Sequence, residues 1–366
     1  MKQIPLNDLK RQTLEPQILA AMNEVVISGS FVLGEQVSSF EAEFAFYTGT
    51  RDCVGVANGT DALELALRAL GCGPGSEVVT VANAGMYASA ATAAIGATPV
   101  FADINPATMT MDPNSLRRCM TLQTKAVIVT HLYGQLAAIE ELTELAAGQG
   151  VSVVEDCAQA HGAERNGRRA GSWGAVGCFS FYPTKNLGAI GDGGAIVTNG
   201  EQIGRTLRAL RQYGWASKYE AAFPYGRNSR LDEIQAAVLR VKLPHLDRWN
   251  ARRREIVRRY GVAAAPEIKL PDALDPAYVA HLCVARTRDR QALRDWLAKN
   301  GISTGVHYPV PDYQQVALQG IFRCPVPLAA TEHATQEILT LPCFPEMSED
   351  EILRVCDALH TFSVNA

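Results

Sequence analysis

Asp156 and Lys185 are the residues of this sequence whose types and spacing most strongly predict chemistry. Asp156 follows the apolar run VSVVE, and Lys185 follows a second apolar run and stands before several glycines. A lysine amine forms a Schiff base with an aldehyde, and a carboxylate on a pyridine nitrogen keeps that ring protonated as an electron sink. The pair therefore predicts a site for a pyridine-aldehyde cofactor. Positions after two successive apolar runs disfavour the competing interpretation, a solvated loop lysine and an aspartate that caps a helix or turn.

Other polar residues could hold the remaining groups of such a cofactor. Gln159 could donate a hydrogen bond to a phenolic oxygen, although a structural role near a strand end is the competing interpretation. Gly59 and Thr60 lie between a predicted strand and a predicted helix, where backbone amides and the helix dipole favour an anion such as phosphate. The same N-G-T segment is also an ordinary helix cap. Ser180 could supply a further hydroxyl, and we expect His161 to be structural.

The composition is that of an ordinary globular protein. The chain has 366 residues, 47% of them hydrophobic and 20% charged, with a net charge of −4. This length predicts two domains, and the charge gives no support for nucleic-acid binding. The nine cysteines contain no C-x-x-C pair, which favours buried thiols in a reducing compartment over disulfides or a zinc site. No segment is long and apolar enough for a signal peptide or a membrane span, so we expect a cytoplasmic protein.

Short apolar runs alternate with helical segments over the first part of the chain. Runs such as VVTV and AVIVT are continuously apolar, which is typical of strands buried on both faces of a parallel sheet. We predict an α/β domain over residues 1–250 and a smaller α+β domain over residues 251–366. Pro244 should break an amphipathic helix near the boundary. The seven segments predicted to form a mostly parallel sheet are 53–57, 77–81, 99–104, 125–130, 151–155, 175–181 and 194–198.

Five blocks of the sequence together resemble one protein family. They are VANGTDALELALRAL, VEDCAQAHGA, CFSFYPTKNLGAIGDGGA, GRNSRLDEIQAAVL and VHYPVP. In this order they are similar to the DegT/DnrJ/EryC1/StrS family of nucleotide-sugar aminotransferases, and the resemblance covers nearly the whole chain. It implies the aspartate-aminotransferase fold, also called the PLP-dependent transferase fold type I, with pyridoxal 5′-phosphate as cofactor. It also implies a homodimer whose active sites lie between the subunits.

The resemblance assigns roles to individual residues. It implies that Lys185 forms the Schiff base, that Asp156 contacts the pyridine nitrogen and that Gln159 lies near the phenolic oxygen. The residues that it places around the phosphate are Gly59, Thr60, Ser180 and Asn228, the last donated by the neighbouring subunit. The residues that it places on the substrate side are Tyr182, Arg227, His307 and Tyr308.

One block departs from the family pattern. Many members carry an aromatic residue after the second strand, which stacks on the pyridine ring. Here the segment NAGMY places Gly85 at that position. Tyr87 could supply the stacking contact instead, which is worth roughly 0.5–1.5 kcal/mol. Met86 could do so through its polarizable sulfur.

A second resemblance bears on the substrate. The segment YGWASKY followed by GRNSRLDE resembles the branch that aminates C3 of 3-keto-6-deoxy sugars on a dTDP carrier. We therefore expect a sugar 3-aminotransferase with L-glutamate as the amino donor. The alternative within the family is amination at C4, because the two types of enzyme share most of their site.

Three further interpretations remain in other functional classes. Sugar-deoxygenating relatives of this fold carry a histidine where Lys185 stands. A non-catalytic sensor that binds the cofactor or a sugar would not need an electron sink. A nicotinamide enzyme would carry G-x-G-x-x-G after its first strand, and VANGTDA is a poor substitute.

Overall fold

The computed structural model describes residues 3–12 and 16–363, and its centre is a seven-stranded sheet. The described strands are β1 (Asp52–Val56), β2 (Glu77–Val81), β3 (Thr98–Ala102), β4 (Thr124–Thr130), β5 (Ser152–Asp156), β6 (Glu164–Arg165), β7 (Arg168–Arg169), β8 (Val176–Ser180), β9 (Gly194–Thr198), β10 (Trp215–Ser217), β11 (Glu220–Ala221), β12 (Cys283–Arg286) and β13 (Ile338–Leu341). The described helices are α1 (Leu9–Gln12), α2 (Pro16–Ser28), α3 (Glu35–Thr48), α4 (Gly59–Ala69), α5 (Tyr87–Ala94), α6 (Pro113–Cys119), α7 (Ile139–Ala147), α8 (Glu201–Leu210), α9 (Glu233–Lys242), α10 (Leu246–Ala263), α11 (Arg290–Lys299), α12 (Ala329–Glu337) and α13 (Glu349–His360). Among the described residues, no helix combines the length and the apolar character that crossing a membrane requires.

The main sheet confirms the predicted α/β architecture. All seven predicted strands are present, with ends that differ from the prediction by at most two residues. They lie in the order β1-β9-β8-β5-β4-β2-β3. Only β9 runs antiparallel to its neighbours, β1 and β8, within this sheet. The carboxyl ends of β1, β2, β4, β5 and β8 therefore meet at one edge, which is where α/β proteins build their sites.

Both faces of the sheet are covered by helices, because the side chains of each strand alternate between two apolar clusters. Val54 and Val56 pack with residues of α4, α5 and α8 on one face. Cys53, which precedes Val54, packs with residues of α3, α6, α7 and α9 on the other. This explains why the strand segments read as continuous apolar runs in the sequence.

A third apolar cluster contains β12, β13, α11, α13 and the middle of α10. Ile4 belongs to this cluster, and its amide donates to the Gly301 carbonyl at 2.8 Å. The predicted domain boundary near residue 250 falls inside α10 and stays a prediction. The predicted break at Pro244 is confirmed, because a short 3₁₀ turn at Leu243–His245 separates α9 from α10.

Glu155 anchors the end of β5, the strand that carries Asp156. Its fully buried carboxylate accepts backbone hydrogen bonds from Gly171 at 2.9 Å, Trp173 at 2.7 Å and Gly174 at 2.7 Å. His131 Nε2 lies 3.0 Å from the same carboxylate. These bonds tie the loop before β8 to β5. They therefore fix the position of β5, which ends at Asp156, relative to β8, which precedes Lys185.

We predict that Glu155→Gln lowers the free energy of unfolding by about 3 kcal/mol. The amide replaces one acceptor oxygen by an NH₂ group that faces backbone N–H donors, so buried donors lose their partner. Urea denaturation followed by circular dichroism measures the change. Glu144→Gln, at an exposed position on α7, is the control and should change the free energy by less than about 0.5 kcal/mol. Equal stability of the two variants would contradict the role given to Glu155.

Candidate active site

A cavity of about 640 Å³ lies at the carboxyl edge of the main sheet. Segments 281–282 and 307–308, from the C-terminal part of the chain, form its other wall. The predicted site residues that line it are Gly59, Thr60, Tyr87, Asp156, Gln159, Ser180, Tyr182, Lys185, His307 and Tyr308. The structure therefore brings together most of the residues that the sequence singled out.

Three predicted residues lie outside this cavity in the single chain. Met86 packs against the core beside the main sheet. Arg227 forms ion pairs with Glu64 and Asp61 on α4. Asn228 is exposed, as a residue donated to a neighbouring subunit would be. The cavity of one chain thus contains no contribution from these three residues.

Asp156 is the last residue of β5 and is nearly buried. One carboxylate oxygen accepts the Ala158 backbone N–H at 3.1 Å, and the other accepts the Thr130 hydroxyl at 3.3 Å. Burial raises the pKa of Asp156, while the Ala158 hydrogen bond and the charge of Lys185 act in the opposite direction. A cation in the cavity would offset the cost of burying the charged carboxylate. The carboxylate is therefore suited to holding a protonated ring nitrogen.

Lys185 follows β8 in a tight turn, in which its backbone N–H donates to the Tyr182 carbonyl at 2.8 Å. Burial lowers the pKa of Lys185 to about 8, and the charge of Asp156 opposes that shift. None of the residues that the structure describes forms a hydrogen bond with its amine. A lysine with this pKa is partly unprotonated near neutral pH, so it can act as a nucleophile and as a base.

The start of α4 forms a cradle suited to an anion. The Asn58 side chain caps the helix by accepting the Asp61 backbone N–H at 2.8 Å. The amides of Gly59 and Thr60 lie in the first helical turn, whose N–H groups have no partner within the helix. A Cβ on Gly59 would lie 2.6 Å from the Ser180 Cβ, so only glycine lets the helix approach β8 this closely.

Gln159 is held by its side-chain oxygen, which accepts the Tyr133 backbone N–H at 2.6 Å. Its side-chain nitrogen therefore faces the cavity, where it donates to the Tyr308 hydroxyl at 3.2 Å. Tyr133 in turn donates its hydroxyl to the His307 carbonyl at 2.5 Å. These bonds connect the segment after β5 to segment 307–308 and leave Gln159 as a donor at the cavity wall.

Tyr308 lies against Gly85, the position at which many members of the resembled family carry an aromatic side chain. Gly85 has a φ of +79°, and a Cβ on it would lie 2.8 Å from Tyr308 Cε1. The Tyr308 ring meets the Tyr87 ring edge-on, with their centroids 6.2 Å apart. Two aromatic rings thus line this wall of the cavity, and one of them comes from a distant part of the sequence.

His161 does not line the cavity. Its ring is buried against Phe179 and Phe181, with centroid distances of 5.4 Å and 5.8 Å. Burial lowers the pKa of His161 to about 3, so the ring is neutral. These contacts agree with the structural role expected from the sequence.

Several lining residues were missed by sequence reasoning. Thr130 could have been found, because it ends the predicted strand 125–130 at the same edge of the sheet. Nothing in the sequence connects His281 with Lys185. The missed lining residues are Asn58, Asp61, Leu63, Ala84, Thr130, Ala158, Thr184, Asp192, His281 and Leu282.

We predict that Gly85→Ala costs about 3 kcal/mol in unfolding free energy, because the methyl group meets the Tyr308 ring and the positive φ disfavours alanine. In a Tyr308→Ala background the steric conflict is gone. The same substitution should then cost only about 1 kcal/mol, the share that comes from the backbone. A double-mutant cycle by urea denaturation measures this coupling. Identical costs in the two backgrounds would show that the ring does not restrict position 85.

The chain matches known proteins over nearly its whole length. A family model described as the DegT/DnrJ/EryC1/StrS aminotransferase family matches residues 12–360. A relative from Streptomyces venezuelae, dTDP-3-amino-3,4,6-trideoxy-alpha-D-glucose transaminase, is 44% identical over 365 residues, which are 98% of this chain and 96% of the relative. A relative from Geobacillus stearothermophilus, called a pleiotropic regulatory protein, is 40% identical over 366 residues, 98% of each chain.

The fold also matches a solved structure. The crystal structure of S. venezuelae DesV in complex with a ketimine intermediate has a TM-score of 0.94 and 43% sequence identity, and it covers 98% of each chain. This similarity confirms the predicted fold class. The amine, the carboxylate and the anion cradle of the cavity fit a pyridine aldehyde that carries a phosphate. The chain belongs to the DegT/DnrJ/EryC1/StrS aminotransferase family, and its cofactor is pyridoxal phosphate.

Proposed function

We propose that this chain transfers the amino group of L-glutamate to C3 of a 3-keto-6-deoxy sugar carried on dTDP. The observation that carries the proposal is the Lys185 amine, whose pKa is lowered to about 8, in one cavity with the buried Asp156. The sugar and the nucleotide follow from similarity to the S. venezuelae transaminase and from the segment YGWASKY. The proposal thus combines a chemical argument with an argument from relatives.

The lining residues divide into groups that would hold different parts of the cofactor. When bound, pyridoxal phosphate supplies an aldehyde that links to amines and a ring that takes up an electron pair. The Gly59 and Thr60 amides with the Ser180 hydroxyl would hold the phosphate. Asp156 would hold a proton on the ring nitrogen, and the Gln159 side-chain nitrogen would donate to the phenolic oxygen. Tyr87 and Tyr308 are the aromatic side chains available for contact with the ring.

Lys185 would move the protons of the reaction. Its amine, partly unprotonated near neutral pH, takes the proton from the α-carbon of L-glutamate. In the second half of the reaction, the same nitrogen delivers a proton to C3 of the sugar. Tyr182, His307 and Tyr308 line the cavity and would contact the sugar and limit the access of water.

Two other candidate functions can be distinguished from this one by experiment. Amination at C4 would use the same lysine and carboxylate, and the position of the new amine in the product distinguishes it. A regulatory role is suggested by the name of the G. stearothermophilus relative. A regulator that only senses its ligand would bind the cofactor and show no turnover with any keto sugar.

We also propose a homodimer with shared active sites. Exposed apolar side chains cluster on and just after α2, among them Leu19, Ile27 and Phe31. An apolar surface of this kind favours association with another protein surface. Asn228 and Arg227 lie outside the cavity of their own chain, as residues that serve a partner's site would. The proposal of a cytoplasmic location still rests on the cysteines, all of which are free thiols.

We predict that Lys185→Ala lowers kcat at least about 10⁴-fold and leaves nucleotide-sugar binding within about threefold of the wild type. The substitution removes the nucleophile and base but no group that we assign to the sugar. Conversion of a synthetic dTDP-3-keto-6-deoxy sugar, followed by mass spectrometry and NMR of the product, measures turnover and the aminated carbon. Substantial residual transamination would overturn the assignment of Lys185, and an amine at C4 would overturn the assignment of C3.

We predict that a mixture of two inactive variants regains activity if the sites are shared. Asn228→Asp places a carboxylate beside the phosphate in the partner's site, and Lys185→Ala removes the amine from its own site. After subunit exchange, a mixed dimer contains one site with both native residues, so about a quarter of all sites should work. Each variant mixed with itself is the control. Activity no higher than that of the separate variants would indicate that Asn228 serves its own chain.

A further inference from the structure

The anion cradle at the start of α4 contains a carboxylate as well as backbone amides. Asp61 is the third residue of the helix, directly after Gly59 and Thr60, and it lines the same cavity. The amino end of a helix carries about half of an elementary positive charge, whereas a carboxylate carries a full negative charge. An uncompensated Asp61 would therefore more than cancel the helix dipole that favours a phosphate there. The cradle needs a cation to balance this carboxylate.

Arg227 supplies this cation from outside the cavity. Its Nη1 lies 3.3 Å from Asp61 Oδ1 and 2.5 Å from Glu64 Oε2. Glu64 follows Asp61 by three residues, so one guanidinium group bridges two carboxylates on the same flank of α4. Among the residues that the structure describes, no other side chain forms an ion pair or a hydrogen bond with the Asp61 carboxylate. Arg227 therefore neutralises Asp61 and holds its carboxylate beside Glu64.

The neighbouring charges on α4 do not replace Arg227. Arg68 lies one turn beyond Glu64 and binds its Oε1 at 3.0 Å, so Glu64 keeps a partner when Arg227 is removed. Asp61 has no such second partner among the described residues. The four side chains together contain two carboxylates and two guanidinium groups, so their charges balance. Removal of Arg227 leaves one negative charge in excess, and it lies on Asp61 at the cradle.

The backbone around Arg227 is fixed on the same chain as the cradle. The Arg227 backbone N–H donates to the Leu210 carbonyl at 2.8 Å, and the Arg227 carbonyl accepts the Tyr213 N–H at 3.1 Å. The Ser229 hydroxyl accepts the backbone N–H of Ala57, two residues before the cradle, at 3.1 Å. The Arg227 side chain itself is 43% exposed. Its removal therefore opens no sealed cavity, and we expect variants at this position to fold.

We propose that Arg227 is a positioning residue for the cofactor phosphate: it neutralises Asp61, so that the amides of Gly59 and Thr60 present a net positive field to the anion. Arg227 acts through Asp61 and touches neither the cofactor nor the sugar. Without Arg227, the phosphate would meet a carboxylate of like charge in the first turn of the helix. This inference rests on the proposed function, since it takes the start of α4 as the site of the cofactor phosphate.

The first experiment measures the affinity of the full-length, cofactor-free protein for pyridoxamine phosphate by equilibrium dialysis. This form of the cofactor carries an amine in place of the aldehyde, so it does not react with Lys185 and reports binding alone. Arg227→Met replaces the guanidinium group by an uncharged chain of similar length, and we expect its Kd to rise about tenfold. Arg227→Lys keeps the charge and should stay within about threefold of the wild type. Arg51→Met, which removes an exposed arginine paired with Glu201, is the control and should have no effect.

A double-mutant cycle assigns the effect to Asp61. Asp61→Asn removes the charge that Arg227 compensates, so Arg227→Met should raise Kd by no more than about twofold in that background. The affinity for pyridoxamine, which lacks the phosphate, should be the same in all variants. An unchanged Kd in Arg227→Met would overturn the proposal. A tenfold loss that persists in the Asp61→Asn background, or an equal loss for pyridoxamine, would also overturn it, because a displaced segment acts on both ligands and without regard to charge.

Mixed dimers separate this role from a role of Arg227 in the partner's site. When Arg227→Met is mixed with an excess of Lys185→Ala, each mixed dimer has one reactive lysine, and it lies on the chain that lacks Arg227. The cofactor concentration that gives half of the maximal half-reaction with L-glutamate measures the affinity of that site. We expect it to stay as high as in Arg227→Met alone. A return to the wild-type concentration would assign Arg227 to the partner's site and contradict the proposal.

The binding measurements are independent of turnover. Wild-type protein that binds pyridoxamine phosphate but converts no keto sugar would refute the proposed function, and the double-mutant cycle would still test Arg227. An active enzyme in which Arg227→Met binds pyridoxamine phosphate as tightly as the wild type would instead refute the role of Arg227 and leave the proposed function intact.

Discussion

The burial of an amine and a carboxylate in one cavity is the constraint on which the rest of the structure depends. Burial disfavours the charged form of each group, so the pKa of Lys185 falls and that of Asp156 rises. Their mutual attraction opposes both shifts. The result is a lysine that loses its proton near neutral pH and a carboxylate that gains from a cation nearby. Neither state would exist if solvent reached both groups freely, so the enclosing walls are part of the chemistry.

The sheet provides that enclosure because its strand ends pack closely. A Cβ on Gly194 would lie 2.5 Å from the Asn58 backbone, and one on Gly59 would meet Ser180. The start of α4 can therefore sit directly on β8 and β9, with its first amides at the cavity. On the other side, Glu155 ties β5 to the loop before β8, which fixes the two reactive residues relative to each other. The same contacts that stabilise the sheet thus set the distances of the site.

The sequence predicted the parts of this arrangement that depend on local pattern. Continuous apolar runs located all seven strands of the main sheet, and residues at strand ends located Asp156 and Lys185. The sequence did not predict contacts between distant segments. His281 reaches the site through a hydrogen bond to a residue 95 positions away. Met86, which we considered as a stacking residue, has a positive φ and packs against the core instead. Backbone conformation and long-range packing decide both cases, and no local periodicity reports them.

The Gly85–Tyr308 contact has a consequence for how the site is assembled. An aromatic ring supplied by the loop after β2 would be present as soon as the main sheet folded. The Tyr308 ring instead belongs to segment 305–318. Asp312 of this segment holds it against the loop after β2. The Asp312 carboxylate accepts the Met86 backbone N–H at 2.9 Å and the Ser89 hydroxyl at 2.6 Å. Because residue 85 is a glycine and carries no ring, this wall of the cavity contains the Tyr308 ring only when segment 305–318 is packed against the loop after β2. On the proposed function, the residues available for contact with the cofactor ring and with the sugar lie on this same segment, so a change in its docking would alter both contacts together.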